Sequence, residues 1–98
     1  MKYNHTKFNG CYVIDTDIHY DSRGSFTKYY NEKEFLKNGI NYAFKEQFFT
    51  ISHKNVLRGM HFQLPPHEHC KLVSCFSGAV LDVLLDLRKG SSTYGESE

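Results

Sequence analysis

Glycine, proline and asparagine cut this chain into short segments, and that punctuation limits its folds more than any other feature. Between the breaks lie runs rich in aromatic and β-branched residues, which suit strands. Residues 11–15 (CYVID), 25–30 (SFTKYY), 43–52 (AFKEQFFTIS), 56–63, 71–76 and 79–88 (AVLDVLLDLR) read as six strands. Tyr20-Asp21-Ser22-Arg23-Gly24 and Ser77-Gly78 have turn composition. Only one helix is expected, Glu32–Lys37. Asn31 is its N-cap, Glu34 stands three residues later, and Asn38-Gly39 ends it. No strand–helix–strand rhythm occurs, so the expected class is an all-β sandwich or barrel with one short helix. At 98 residues the chain makes a single domain, 1–98, with a modest core.

Composition excludes several function classes. Twelve Lys and Arg stand against eleven Asp and Glu, interspersed along the chain, so no nucleic-acid footprint is expected. Three cysteines (Cys11, Cys70 and Cys75) are an odd number without C-x-x-C spacing, as in a reduced, cytoplasmic protein. The start, MKYNHTKFNG, lacks the apolar stretch of a signal peptide, and no run is long enough to span a membrane.

The densest chemistry lies in residues 56–71, VLRGMHFQLPPHEHCK. It holds two fixed cations, Arg58 and Lys71, and three histidines, His61, His67 and His69. Strict alternation puts Arg58, Met60 and Phe62 on one face and Leu57, Gly59, His61 and Gln63 on the other. A site shared by Arg58 and His61 therefore needs a twist or bulge near Gly59, where glycine permits one. Pro65-Pro66 turns the chain back and brings Lys71 toward the first strand.

Three chemistries fit these residues. A metal could use His61, His67 and His69, but Val73 and Ser74 stand where a following carboxylate ligand is wanted, so no metal is assigned. Proton abstraction beside a carbonyl needs a neutral imidazole plus cations at the developing enolate, and His61, Lys71 and Arg58 supply those types. The bland alternative makes His67 and His69 exposed loop residues and His61 a buried structural histidine. Asp82 and Asp86 could orient a histidine by type. Their default is the solvent face of a half-buried strand, and that of Arg23 is a solvated turn. The apolar segment 79–88 reads as a central strand with nothing after it to cover it, so the chain reads as the front part of a larger fold or as a protomer that borrows strands.

Several ordered motifs resemble one family. Asp21-x-Arg23-Gly24-x-Phe26, Arg58-Gly59-Met60-His61-Phe62-Gln63, Pro65-Pro66-His67, Lys71-Leu72-Val73, Gly78-Ala79-Val80-Leu81-Asp82-Val83 and Asp86-Leu87-Arg88-Lys89-Gly90-Ser91-x-Thr93-Tyr94-Gly95 are similar to the dTDP-4-dehydrorhamnose 3,5-epimerase family. The resemblance implies a cupin-type jelly roll, incomplete here at its C-terminal side. It implies a homodimer that shares strands and an enzyme that needs no metal or other cofactor. The implied reaction inverts C3 and C5 of a nucleotide-linked 4-keto-6-deoxyhexose in deoxysugar biosynthesis. It makes His61 the proton acceptor. Lys71 and Arg58 take the keto oxygen and the diphosphate side, in an order left open, and Arg23 and Phe26 contact the nucleotide sugar.

The chain also departs from that pattern. Lys28 stands where the family commonly has Glu, and Glu46-Gln47-Phe48 stand where it commonly has Gln-Asp-Asn. These positions, with Arg58 and Lys71, are the expected substrate contacts. A reversed charge and an aromatic in place of an amide point to a different nucleotide or sugar, GDP- or CDP-linked sugars being the alternatives to dTDP. The family's proton-donating Tyr, the Asp that pairs with its base and a further His belong to its C-terminal half. Little epimerase activity is therefore expected of these residues alone. The alternative from another class is a non-catalytic module that binds a nucleotide sugar or pairs with another subunit.

Overall fold

The computed structural model describes residues Met1–Glu98. Its regular structure is four short strands and one short helix, an all-β chain with a single helix. The chain forms two compact units. The first comprises Met1–Asn41 and Ala79–Glu98; the second is Tyr42–Gly78.

Two hairpins build the first unit. β1 (Lys2–His5) pairs antiparallel with β2 (Tyr12–Asp15), with Lys2 opposite Asp15 and His5 opposite Tyr12. The Thr6 hydroxyl closes the connecting loop, donating to the Phe8 and Cys11 carbonyls. β3 (Ile18–Asp21) pairs with β4 (Gly24–Thr27), with His19 opposite Phe26. The turn between them is Ser22-Arg23. Its carboxylate, Asp21, accepts from the Arg23 amide at 2.8 Å, the local bond that makes Asp a turn residue.

The helix α1 (Glu32–Lys37) has the bounds expected from its caps. The Asn31 side chain accepts from the Glu34 amide at 3.1 Å, satisfying one N-terminal donor. At the other end the Ile40 amide reaches the Phe35 carbonyl (2.9 Å) and the Gly39 amide reaches the Leu36 carbonyl (3.0 Å). That pair of bonds is a Schellman closure, and it requires the positive φ of +80° that Gly39 adopts. Glu32 and Glu34 in the first turn and Lys37 in the last suit the helix dipole.

The core is small. Phe35 is 2% exposed and meets Tyr3 and Tyr30 edge-on, at ring centroid distances of 5.7 and 4.9 Å. Phe8 is the other buried apolar residue, and the Lys7 ammonium lies 5.3 Å from its ring centroid. The rest of the first unit is a C-terminal hairpin. Leu84 and Glu98 exchange both backbone bonds, at 2.9 and 3.0 Å, and the Asp86 amide donates to the Glu96 carbonyl at 2.9 Å.

Several expected strands differ. Residues 43–52, 56–63 and 71–76 form no regular ladder, and 79–88 is laddered only from Leu84 onward. A strand exists only against a partner edge, and no segment of this chain supplies one to these residues. Within Tyr42–Gly78 no residue is buried, and Leu57, at 92% exposed, keeps nearly all its surface open. The turn at Pro65-Pro66 is present, closed by the His67 amide on the Leu64 carbonyl at 2.9 Å. Ser77-Gly78 is a bend. β1 and β3 were not expected as strands. Tyr20 and Asp21, assigned by composition to the turn, belong to β3, and Tyr29 and Tyr30 lie beyond the end of β4.

Candidate functional site

The residues suited to proton abstraction lie in the Tyr42–Gly78 unit. Arg58, His61 and Lys71 are all exposed there. Arg58 donates through Nε to the Ser52 hydroxyl at 3.0 Å. No hydrogen bond or ion pair joins His61 to Arg58 or to Lys71. Gly59 has φ +122°, a value an L side chain rarely adopts. A Cβ there would lie 3.8 Å from His61 Nδ1, so backbone conformation rather than space makes this position a glycine. His69 Nδ1 lies 3.2 Å from the His67 carbonyl. No group of three or more His, Cys, Asp or Glu side chains is placed to hold a metal ion. Glu46, Gln47 and Phe48 are exposed, Phe48 at 77%.

The remaining candidates stand on the β3–β4 hairpin in the first unit. Arg23 is at its tip, with Nη2 2.6 Å from Asp21 Oδ2 and Nε 3.2 Å from the same oxygen. The Arg23 side chain, then its amide, holds the Asp21 carboxyl below the usual carboxylate range; the same contact raises the guanidinium. Both groups face solvent, so the pair organises the turn rather than stabilising the fold. Phe26 and Lys28 line an open cleft of about 260 Å³ together with Met1, Asp17, His19, Asn31 and Glu34. Among these, the Met1 amine donates to Asp17 Oδ2 at 2.7 Å and lowers the Asp17 pKa.

One correction concerns Asp86. Expected on a solvent face, it is 5% exposed and is the most densely bonded side chain in the molecule. It accepts from Arg88 Nε (2.9 Å) and Nη2 (2.8 Å), from the Ser91 and Thr93 hydroxyls (2.7 Å each) and from the Arg88 amide (3.0 Å). Arg88 Nη1 then donates to the Asn9 carbonyl at 2.6 Å. The Arg88 side chain first, then the Ser91 hydroxyl, the Arg88 amide and the Thr93 hydroxyl, drive the Asp86 pKa far below the ordinary value. Asp86 is thus a fastener of the fold. The signal was present as a carboxylate followed within a short turn by Arg, Ser and Thr; strand alternation alone concealed it. Asp82 is exposed, as its default reading has it.

An all-β chain with one capped helix, a basic hairpin tip and an Arg-Gly-Met-His run defines a class that comparison with known proteins narrows. The family model for dTDP-4-dehydrorhamnose 3,5-epimerase matches residues 5–98. A protein named dTDP-4-dehydrorhamnose 3,5-epimerase from Methanothermobacter thermautotrophicus is 40% identical over 91 residues, 93% of this chain and 49% of that protein. Proteins of the same name from Shigella flexneri and Mycobacterium tuberculosis are each 39% identical, over 86% and 97% of this chain and 47% and 48% of their own lengths. No solved structure matches the chain. The chain belongs to the dTDP-4-dehydrorhamnose 3,5-epimerase family. It spans about half the length of the curated relatives it matches.

Proposed function

We propose that this chain is the part of a nucleotide-sugar 3,5-epimerase that carries the catalytic base and half of the substrate contacts. The observation that carries the reading is the family match across residues 5–98, which contains the Arg58–His61 run and Lys71 in order. In this reading a ketone at C4 of the sugar acidifies the protons on C3 and C5. The neutral imidazole of His61 takes one of them, and the electron pair moves onto the keto oxygen. Lys71 or Arg58 stabilises that enolate while the other holds the diphosphate. A proton returned to the opposite face completes the inversion and regenerates the ketone. Arg23, Phe26, Lys28, Glu46, Gln47 and Phe48 contact the nucleotide sugar.

The same reading assigns residues 1–98 to the N-terminal part of a cupin-type jelly roll in the cytoplasm. Its missing ladders are made by a second copy through shared strands. The run of exposed apolar side chains at Phe48, Phe49, Ile51 and Leu57 supports this, since strand pairing across a dimer would cover them. The test is proton–deuterium exchange at C3 and C5 of nucleotide-linked 4-keto-6-deoxyhexoses. Deuterium is expected to enter with the native chain and not with His61→Ala. Equal exchange in both removes His61 as the base.

A further inference from the structure

Two asparagines precede glycine, in Asn9-Gly10 and Asn38-Gly39. In such a pair the glycine carries no side chain to obstruct its nitrogen, which can reach the carboxamide carbon of the asparagine. The nitrogen bonds that carbon and gives its proton to solvent base. The carboxamide C–N bond breaks, ammonia leaves, and a cyclic imide forms. Water then adds to either imide carbonyl and that imide C–N bond breaks, leaving aspartate or isoaspartate. The sum is water consumed and ammonia released, with nothing oxidised or reduced. By sequence the two sites are alike; their surroundings differ.

Asn38 is held at both reacting groups. Its carboxamide nitrogen donates to the Glu34 carbonyl at 2.7 Å, against the end of the helix. The Gly39 amide, the nucleophile here, donates to the Leu36 carbonyl at 3.0 Å. Ring closure has to release both bonds, and with them the helix C-terminus.

Asn9 lies in the loop between β1 and β2, where it and Gly10 are both exposed. The Cys11 amide closes this loop on the Phe8 carbonyl at 3.1 Å, a bond that uses neither reacting group. The Asn9 carboxamide and the Gly10 amide have no partner in the protein. No atom beyond the chain neighbours lies within 4 Å of the place a Gly10 Cβ would take, so nothing crowds the approach. The carbonyl of the same peptide unit, that of Asn9, accepts from Arg88 Nη1 at 2.6 Å. Asp86 fixes this guanidinium through Nε (2.9 Å) and Nη2 (2.8 Å). When the Gly10 nitrogen loses its proton, negative charge spreads onto the Asn9 carbonyl oxygen. A fixed cation bonded to that oxygen favours the anion, and so the nucleophile.

We propose that Asn9 is a site of spontaneous deamidation, activated by Arg88 through the Asn9-Gly10 peptide group, and that the helix cap shields Asn38. When water opens the imide at the main-chain carbonyl, the oxygen held by Arg88 becomes part of a carboxylate. The link between the β1–β2 loop and the C-terminal hairpin then carries a new negative charge. None of this depends on the epimerase reading.

The experiment follows the full chain in mildly alkaline buffer made with heavy-oxygen water, native and in guanidinium chloride, by peptide mapping with mass spectrometry. Each deamidation fixes a solvent oxygen in the new carboxylate, so the label reports the two sites separately. In the native chain residue 9 is expected to take up label at least about tenfold faster than residue 38, because two hydrogen bonds guard the latter. In denaturant the two rates are expected to meet. Arg88→Met is expected to slow labelling at residue 9 severalfold and leave residue 38 unchanged, which also shows that the helix is folded. If that variant unfolds, hydrogen exchange of the Gly10 amide in the wild-type chain decides, with faster base-catalysed exchange expected in the native chain than in denaturant. Equal labelling of the two sites in the native chain, label at neither, an unchanged rate at residue 9 in folded Arg88→Met, or slower native exchange at Gly10 overturns the proposal.

Discussion

At the scale of single residues, Asp86 and His61 mark the two extremes of this chain. Asp86 is buried and bonded through both carboxylate oxygens, and its neighbours exist to hold it charged. Removing the charge while keeping the shape, in Asp86→Asn, strands Arg88, Ser91 and Thr93 without their acceptor. The thermal midpoint is expected to fall by about 5 °C or more. The pH dependence has a definite sign. A carboxylate whose folded pKa is depressed stabilises the fold above its unfolded pKa of about 3.9 and loses that contribution as pH falls below it. The gap in midpoint between wild type and Asp86→Asn is therefore expected to be full at pH 7 and to shrink steadily below about pH 4. A gap that grows on acidification contradicts the assignment. At Gly59 the restraint is in the backbone. Gly59→Ala has room for its methyl but must hold φ near +122°, at a cost of about 1–3 kcal/mol. Because the Tyr42–Gly78 unit has no buried residue, that cost is expected in His61-dependent exchange and not in the melting temperature. A drop in melting temperature with exchange intact refutes it.

At the scale of elements, what could be read from sequence divides along a physical line. The helix was legible to the residue because its signals are local: Asn31 caps a bond three residues away, and Gly39 supplies the conformation that ends it. The Ser22-Arg23 and Pro65-Pro66 turns were legible for the same reason. Strand pairing was not. Alternation in residues 43–52 or 56–63 says which side chains share a face, but the partner edge is non-local and here is not supplied by the chain. The candidate site divides likewise: residue types and order nominate His61, Arg58 and Lys71, while nothing local in the sequence fixes their distances from one another. Local elements also give a local test. Asn31→Ala removes the cap and is expected to cost about 1 kcal/mol, whereas Phe35→Ala empties the only helix-borne core position, at about 3–5 kcal/mol. Urea unfolding of the two variants distinguishes them, and equal midpoints would mean that Phe35 is not the anchor.

At the scale of the whole molecule, the distribution of burial argues for completion by another surface. Only Phe8 and Phe35 are buried among the apolar residues, while Phe48, Phe49, Ile51 and Leu81 are more than three-quarters exposed. An apolar segment with unpaired amides either finds an edge or aggregates. If that edge belongs to a second copy, amide exchange becomes dependent on concentration. In dilute protein, residues 43–76 are expected to exchange within the dead time, while β1, β2, α1 and the hairpin around Asp86 remain protected. Raising the concentration is expected to protect residues 43–76 first and to double the sedimenting mass with the same midpoint. Protection that appears without a change in mass rejects strand sharing and places the missing edges within the chain. On the epimerase reading proposed above, such pairing would also give Arg58, His61 and Lys71 ladders to fix them. Proton–deuterium exchange at the sugar is therefore expected to rise along the same concentration curve. Exchange that follows dimer concentration is the outcome that ties the fold, the base and the family match together. Exchange at full rate in dilute monomer would separate them.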